Sequence, residues 1–242
     1  MTMENTEKQH PVEMTRRPRK PRPDKGTLGK LLGAARVVFG RRGWHETTID
    51  DIITEAGVSR GSFYVYFQNK HDIFDRLTTP LLEELFGRAE SKRAGNTIFE
   101  RLEAGNRAYF EVWNNSPDLM WLITEVGPDP TLGVGLREMR RRFEARSARA
   151  LQRHAESGLT HPGIDPEAAA SAVAGMVTDH AEQLFWPSSS PAKLSARELV
   201  QHSYCLTALW YRAVYSPAAP PVPDGATYCE KVLDGLIEAP AV

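Results

Sequence analysis

The sequence predicts an all-α protein of two unequal parts: a small three-helix domain carrying a helix-turn-helix, and a larger helical bundle behind it. Three observations lead there. Residues 47–70, TTIDDIITEAGVSRGSFYVYFQNK, read as two short helices around a glycine turn and the start of a third. From residue 96 onward the apolar periods are helical, and none alternates as a half-buried strand would. The 242 residues suffice for two cores, and no apolar run approaches the roughly 18 residues of a membrane span.

The chain opens on a basic arm, residues 1–26. Residues 16–30 hold Arg16, Arg17, Arg19, Lys20, Arg22, Lys25 and Lys30 against one acid, Asp24, and Pro18, Pro21 and Pro23 oppose regular helix. The expectation is a disordered segment that can follow a phosphate backbone or enter a minor groove, with Arg19, Lys20 and Arg22 as its contacts. A first helix follows over 28–41, where Leu28, Leu31, Leu32, Ala35, Val38 and Phe39 recur at helical spacing.

Thr48 can cap the second helix, with Asp51 three residues on reaching back and Asp50 and Asp51 suiting the positive end of the dipole. Ile49, Ile52, Ile53 and Ala56 give it an inward face, and Gly57 stops it with a left-handed residue. Ser59 caps a third helix whose buried side is Phe63 and Phe67. Ile73, Phe74, Leu77, Leu81 and Leu85 continue as a linking helix, in which Pro80 predicts a kink.

The remaining helices fall over 97–115, 117–126, 131–157, 166–186 and 195–215, with a proline-rich stretch and a short terminal helix over 226–238. The expected organisation is an arm (1–26), a helix-turn-helix domain (27–74), a helical ligand-binding and dimerisation domain (75–215) and a proline-rich tail (216–242). Charge follows the same division. Residues 1–76 carry 14 Lys or Arg against 10 Asp or Glu, and the rest carry 16 against 21.

The outward face of the third helix suits DNA. Arg60 can donate two hydrogen bonds to a guanine edge, Gly61 lets the backbone come close, Ser62 and Tyr64 face the same way, and Tyr66 and Lys70 can hold phosphates. With the cap residue Thr48, these form the candidate DNA-contacting set.

Residues 28–73 as a whole resemble the DNA-binding domain of the TetR/AcrR family of bacterial transcription regulators. The likeness rests on an amphipathic helix ending in VVFGRRGW and then TTIDDIITEAGVSRGSFYVYFQNKHDIF. Three positions depart from the pattern: Ile53 stands where a small residue is usual, Asp50 brings an acid near the groove, and Pro80 interrupts the joining helix. The resemblance implies a cytoplasmic homodimer paired through helices 166–186 and 195–215. It would bind a double-stranded operator of approximate inverted repeat and be released, most often as a repressor, by a small lipophilic or aromatic effector. The aromatic richness of the middle helices fits such an effector, with Tyr109, Trp113, Trp121, Met176 and His180 as its candidate contacts.

Rival readings are weaker. Gly57-Val58-Ser59-Arg60-Gly61 fits the nucleophile elbow of serine hydrolases, but no buried strand precedes it, and Ser59 is better placed as a cap. A helical lipid-carrying protein without DNA binding is the other alternative. His180 sits among Val173, Val177 and Leu184, where a hydrogen-bonded interface histidine is the commoner role. The arginines from Arg137 to Arg149, interspersed with Glu138 and Glu144, read as a solvated helix face. Cys205 and Cys229 are too few and too far apart for a zinc site, the polar N-terminus gives no signal peptide, and neither metal nor cofactor is expected.

Overall fold

The computed structural model describes residues 24–91, 95–126, 134–185, 193–215 and 222–237. Among them lie ten helices: α1 (Lys25–Glu46), α2 (Ile49–Ala56), α3 (Arg60–Tyr66), α4 (Lys70–Ser91), α5 (Ile98–Asn115), α6 (Pro117–Val126), α7 (Val134–Glu156), α8 (Pro166–Phe185), α9 (Ala196–Val214) and α10 (Gly225–Ile237). The only strand-like pairing among these residues is a single bridge, Thr160 to Tyr215. The all-α expectation and its division into a helix-turn-helix and a helical bundle hold. Arg19, Lys20 and Arg22 lie outside the described residues.

The small domain is built by its caps. Thr48 and Asp51 form a reciprocal capping box: the Asp51 amide donates to the Thr48 hydroxyl at 3.2 Å, and the Thr48 amide donates to the Asp51 carboxylate at 2.9 Å. Gly57 closes α2 in the left-handed region at φ 63°, its N–H turned back on the helix. The Ser59 hydroxyl accepts from the Ser62 amide at 3.1 Å and starts α3. Leu31, Phe39, Ile52, Phe63, Phe67 and Ile73 then bury their side chains between α1, α2, α3 and α4.

Two elements differ from expectation. α1 extends to Glu46 across a break at Gly43 (φ 71°), a backbone state that disfavours any side chain. Past the break, Trp44 stacks on Phe39 at 5.6 Å and meets Phe74 edge-on at 5.2 Å. Pro80 does not interrupt α4, which is continuous through it. Proline forfeits one backbone hydrogen bond there, and the buried side chains of Leu81, Leu82 and Leu85 hold the helix against its neighbours.

In the bundle α5 packs on α9 and α7 on α8, while α4 leads from the small domain onto α5. A polar seam runs through the α5–α9 contact. Glu103, 1% exposed, accepts from Ser203 at 2.6 Å, from Tyr228 of α10 at 3.1 Å and from Arg107 at 3.2 Å. Nearby, Asn106 donates to the Thr207 hydroxyl at 2.8 Å, and Asn114 holds both backbone groups of Leu194. The terminal helix is therefore docked rather than loose, with Tyr228 buried and Tyr204 donating to the Pro223 carbonyl.

Candidate nucleic-acid interface and effector cavity

α3 exposes Arg60, Gly61 and Tyr64 to solvent, with Ser62 and Tyr66 half-buried. Arg60 reaches across the turn to Asp50 of α2, its Nη1 2.8 and 3.0 Å from the two carboxylate oxygens. The acid that departs from the family pattern thus pairs with the candidate base-reading arginine. Two further pairs fasten α1 to α2: Arg42 with Asp51 at 3.0 Å, and Arg41 with Glu55.

The other candidate residues carry structural bonds as well. Tyr66 donates its hydroxyl proton to the Asp24 carbonyl at 2.8 Å and accepts from the Asp24 amide, which fixes the start of α1 beside the end of α3. Lys70 gives two of its three ammonium protons to the carbonyls of Trp44 and Thr47, both at 2.7 Å, and lies 4.3 Å from the Trp44 ring centre. Burial pushes its pKa down. Its third proton takes no part in these two bonds. Ser59, the nucleophile of the hydrolase alternative, is occupied as the α3 cap and shares a 2.9 Å contact with the Ser62 hydroxyl.

α6 joins this domain to the bundle. Near its start, Asp118 takes a two-pronged contact from Arg36 of α1, at 2.6 and 2.8 Å. Near its end, Glu125 accepts from the Trp44 amide, 3.2 Å from each carboxylate oxygen. That amide is available because Gly43 breaks the helix ahead of it. Neither grip is visible as periodicity in the sequence.

The opposite side of α6 supplies Met120 and Thr124 to a cavity of about 700 Å³ enclosed mainly by α5, α7 and α8. Leu102, Leu151, Val173, Val177 and Trp210 form its apolar wall, and Tyr109, Thr124, Thr178 and Glu182 form a polar patch. Of the five residues expected to contact an effector, the wall includes Tyr109 alone. Trp113 is wholly buried behind it, stacked on Phe185 at 5.8 Å. Trp121 yields its place to Met120, one residue earlier on the helix. On α8 the cavity face is Val173, Ala174, Val177, Thr178 and Glu182, which leaves Met176 and His180 out of the wall. His180 meets His202 of α9 at 3.1 Å and lies beside the Phe110 ring.

The arginine-rich stretch of α7 is only partly the solvated face that its charge alternation suggests. Arg141 and Arg142 pair with Glu138 outside, whereas Arg137, Arg140, Arg146 and Arg153 border the cavity. The arginines at 146 and 153, seven apart, sit on one side of the helix together with the half-buried Ala150.

No described helix is long and apolar enough to cross a membrane, and the described residues contain no cluster of His, Cys, Asp or Glu able to hold a metal. A capped helix pair presenting one exposed face, supported by α1 and α4, defines a helix-turn-helix DNA-binding protein. Residues 31–77 match the pattern of bacterial regulatory proteins of the tetR family. YdgC of Bacillus subtilis, an HTH-type transcriptional regulator, is 26% identical over 173 residues, 69% of this chain and 86% of that one. The repressor KstR2 of Rhodococcus jostii is 36% identical over 63 residues, 26% of this chain and 31% of KstR2. A solved SmeT–triclosan complex, 21% identical, shares the fold over 83% of this chain and 98% of its own with a TM-score of 0.59. Residues 31–77 thus carry the pattern of the TetR-family DNA-binding domain, and the chain is similar over about two thirds of its length to an HTH-type transcriptional regulator.

Proposed function

We propose that the protein is a homodimeric repressor that binds an approximate inverted repeat and is released by a small lipophilic or aromatic molecule in the α5–α7–α8 cavity. The observation that carries this reading is the double duty of α6. Its Met120 and Thr124 border the cavity, while its Asp118 and Glu125 hold α1 of the DNA-binding domain. A molecule that fills the cavity and shifts α6 therefore moves the support of the recognition helix. Effector and operator weaken each other by the same factor.

In this reading Arg60, Gly61, Ser62 and Tyr64 meet base edges and backbone in the major groove. Thr48, Tyr66 and the third proton of Lys70 meet phosphates, and Arg19, Lys20 and Arg22 add contacts from the arm. Tyr109 contacts the effector, with Trp113 backing it. The dimer forms through helices 166–186 and 195–215, whose outer faces carry Ala168, Ser171 and Ala172 on α8 and Cys205 and Leu209 on α9. Leu209 is 60% exposed in the single chain, unusual for a large apolar residue in mid-helix. SmeT, solved with triclosan, is a relative in fold that takes a small aromatic molecule.

The test is binding of the full chain to labelled DNA from just upstream of its own gene, against a scrambled duplex, at two salt concentrations. Saturable preference for the upstream DNA, weakening as salt rises, is the expected result. Equal, weak binding to both duplexes would overturn autoregulation and favour a small-molecule carrier.

A further inference from the structure

The cavity wall is charged in one sense. Five arginines border it, Arg101, Arg137, Arg140, Arg146 and Arg153, against one carboxylate, Glu182. The two ends differ. Arg140 lies near Glu182 and is bonded to Glu144 at 2.9 Å, so that end is largely compensated. At the other end Arg101 of α5 and Arg153 of α7 converge on His154, whose Nδ1 lies 3.0 Å from the Tyr215 hydroxyl. No acid on the wall answers them there. Arg101 donates to the Gly95 carbonyl at 3.3 Å, and the Arg153 side chain has no partner among the described residues.

We infer that the cavity takes an amphiphile with an acidic head, carboxylate or phosphate, held between Arg101 and Arg153 while its apolar body lies along Leu102, Leu151 and Val177. This rests on the effector reading above and specifies the chemistry of the effector. Two guanidiniums drawn to one mouth repel each other unless an anion lies between them, and guanidinium matches carboxylate and phosphate oxygens in pairs. The apolar wall between the two ends suits a hydrocarbon or aryl body, and the cavity volume lies within the usual range of small-molecule sites, on the order of 300–1,000 Å³. A cationic amphiphile is opposed by the same arginines.

The test compares dodecanoate, dodecyl phosphate, dodecanol and dodecylamine, and the same four head groups on a naphthylethyl body. Binding to the full chain is followed by tryptophan fluorescence, since Trp210 borders the cavity, and by thermal shift. The acids should bind about tenfold or more tighter than the alcohols, the usual worth of a charged hydrogen-bond pair. In the double variant Arg101→Gln/Arg153→Gln that ratio should fall to near one with alcohol affinity unchanged, while Arg141→Gln, outside the cavity, keeps it. Alcohols or amines binding as tightly as the acids, or a ratio that survives the double variant, would overturn the acidic-head assignment and leave the cavity as an effector site. Failure of every head group on both bodies would overturn the effector reading itself.

Discussion

Asp50 and Arg60 show how a single residue sets the working point of the interface. In the free protein Arg60 is bonded to Asp50, so contact with DNA requires exchanging an exposed ion pair for a base or a phosphate. Asp50→Asn should remove both that competition and the repulsion of phosphates, tightening binding to all duplexes modestly, as expected for an exposed pair. Titration of the variant with operator and with random DNA checks it, and unchanged affinity for both would mean that Arg60 is not at the DNA. A second residue-scale expectation concerns pH. Burial, with help from Arg153 and Arg101, holds the His154 pKa below its usual value, and burial with His202 does the same for His180. Both histidines thus bind protons more readily when unfolded. Stability should fall as pH drops through about 6.5 toward the lower native values, and be fully present above it. Thermal melts across that window should show the loss, and His154→Gln with His180→Gln should flatten it. At this scale the caps were fully legible, because Thr48, Asp51, Gly57 and Ser59 act on backbone a few residues away. The partners of Lys70, Tyr66 and His180 were not, because they lie 22 to 42 residues distant.

Among the elements, α1 and α6 depend on one glycine. A Cβ at Gly43 would lie 2.9 Å from the nearer Glu125 carboxylate oxygen, and the φ of 71° already disfavours a side chain. Gly43→Ala should therefore cost about 1–3 kcal/mol through backbone strain and a displaced Glu125. It should also uncouple DNA release from effector binding more than it alters DNA affinity itself. A melting curve and an effector titration on the operator complex distinguish the two effects. A variant as stable and as responsive as the parent would show that the break is incidental. Helix existence and type were readable from apolar spacing throughout, whereas the continuity of α4 across Pro80 was not. A proline signals the bond it forfeits and carries no information about the packing that holds the helix. The cavity was misplaced for a related reason. Aromatic side chains alone do not separate core from wall: Trp113 proved to be packing, whereas the wall combines Tyr109, Phe143 and Trp210 with Leu151, Val173, Val177 and arginines.

For the molecule as a whole, the division into a DNA-binding head and a helical body was legible because the two differ in motif and in charge. The buried Glu103 network and the docking of α10 were not, since a lone glutamate and a tyrosine 125 residues later give no joint signal. The proposed dimer is testable at this scale: Leu209→Asp should place a charge on the two-fold face and shift the protein to monomer in sedimentation. It should weaken operator binding with little effect on the fold, because the side chain lies outside the single-chain core. A variant that remains dimeric would move the interface elsewhere. The two grips of α6 carry one further consequence. Asp118 and Glu125 are two turns apart, about 10 Å along the axis, and they hold α1 on opposite sides of the Gly43 break, at Arg36 and at Trp44. A helix fastened at two points transmits its tilt as well as its position. The break therefore works as an elbow with a strut across it: when α6 leans, the angle at Gly43 has to change, and the forearm of that elbow ends at Thr47, one residue before the cap of α2.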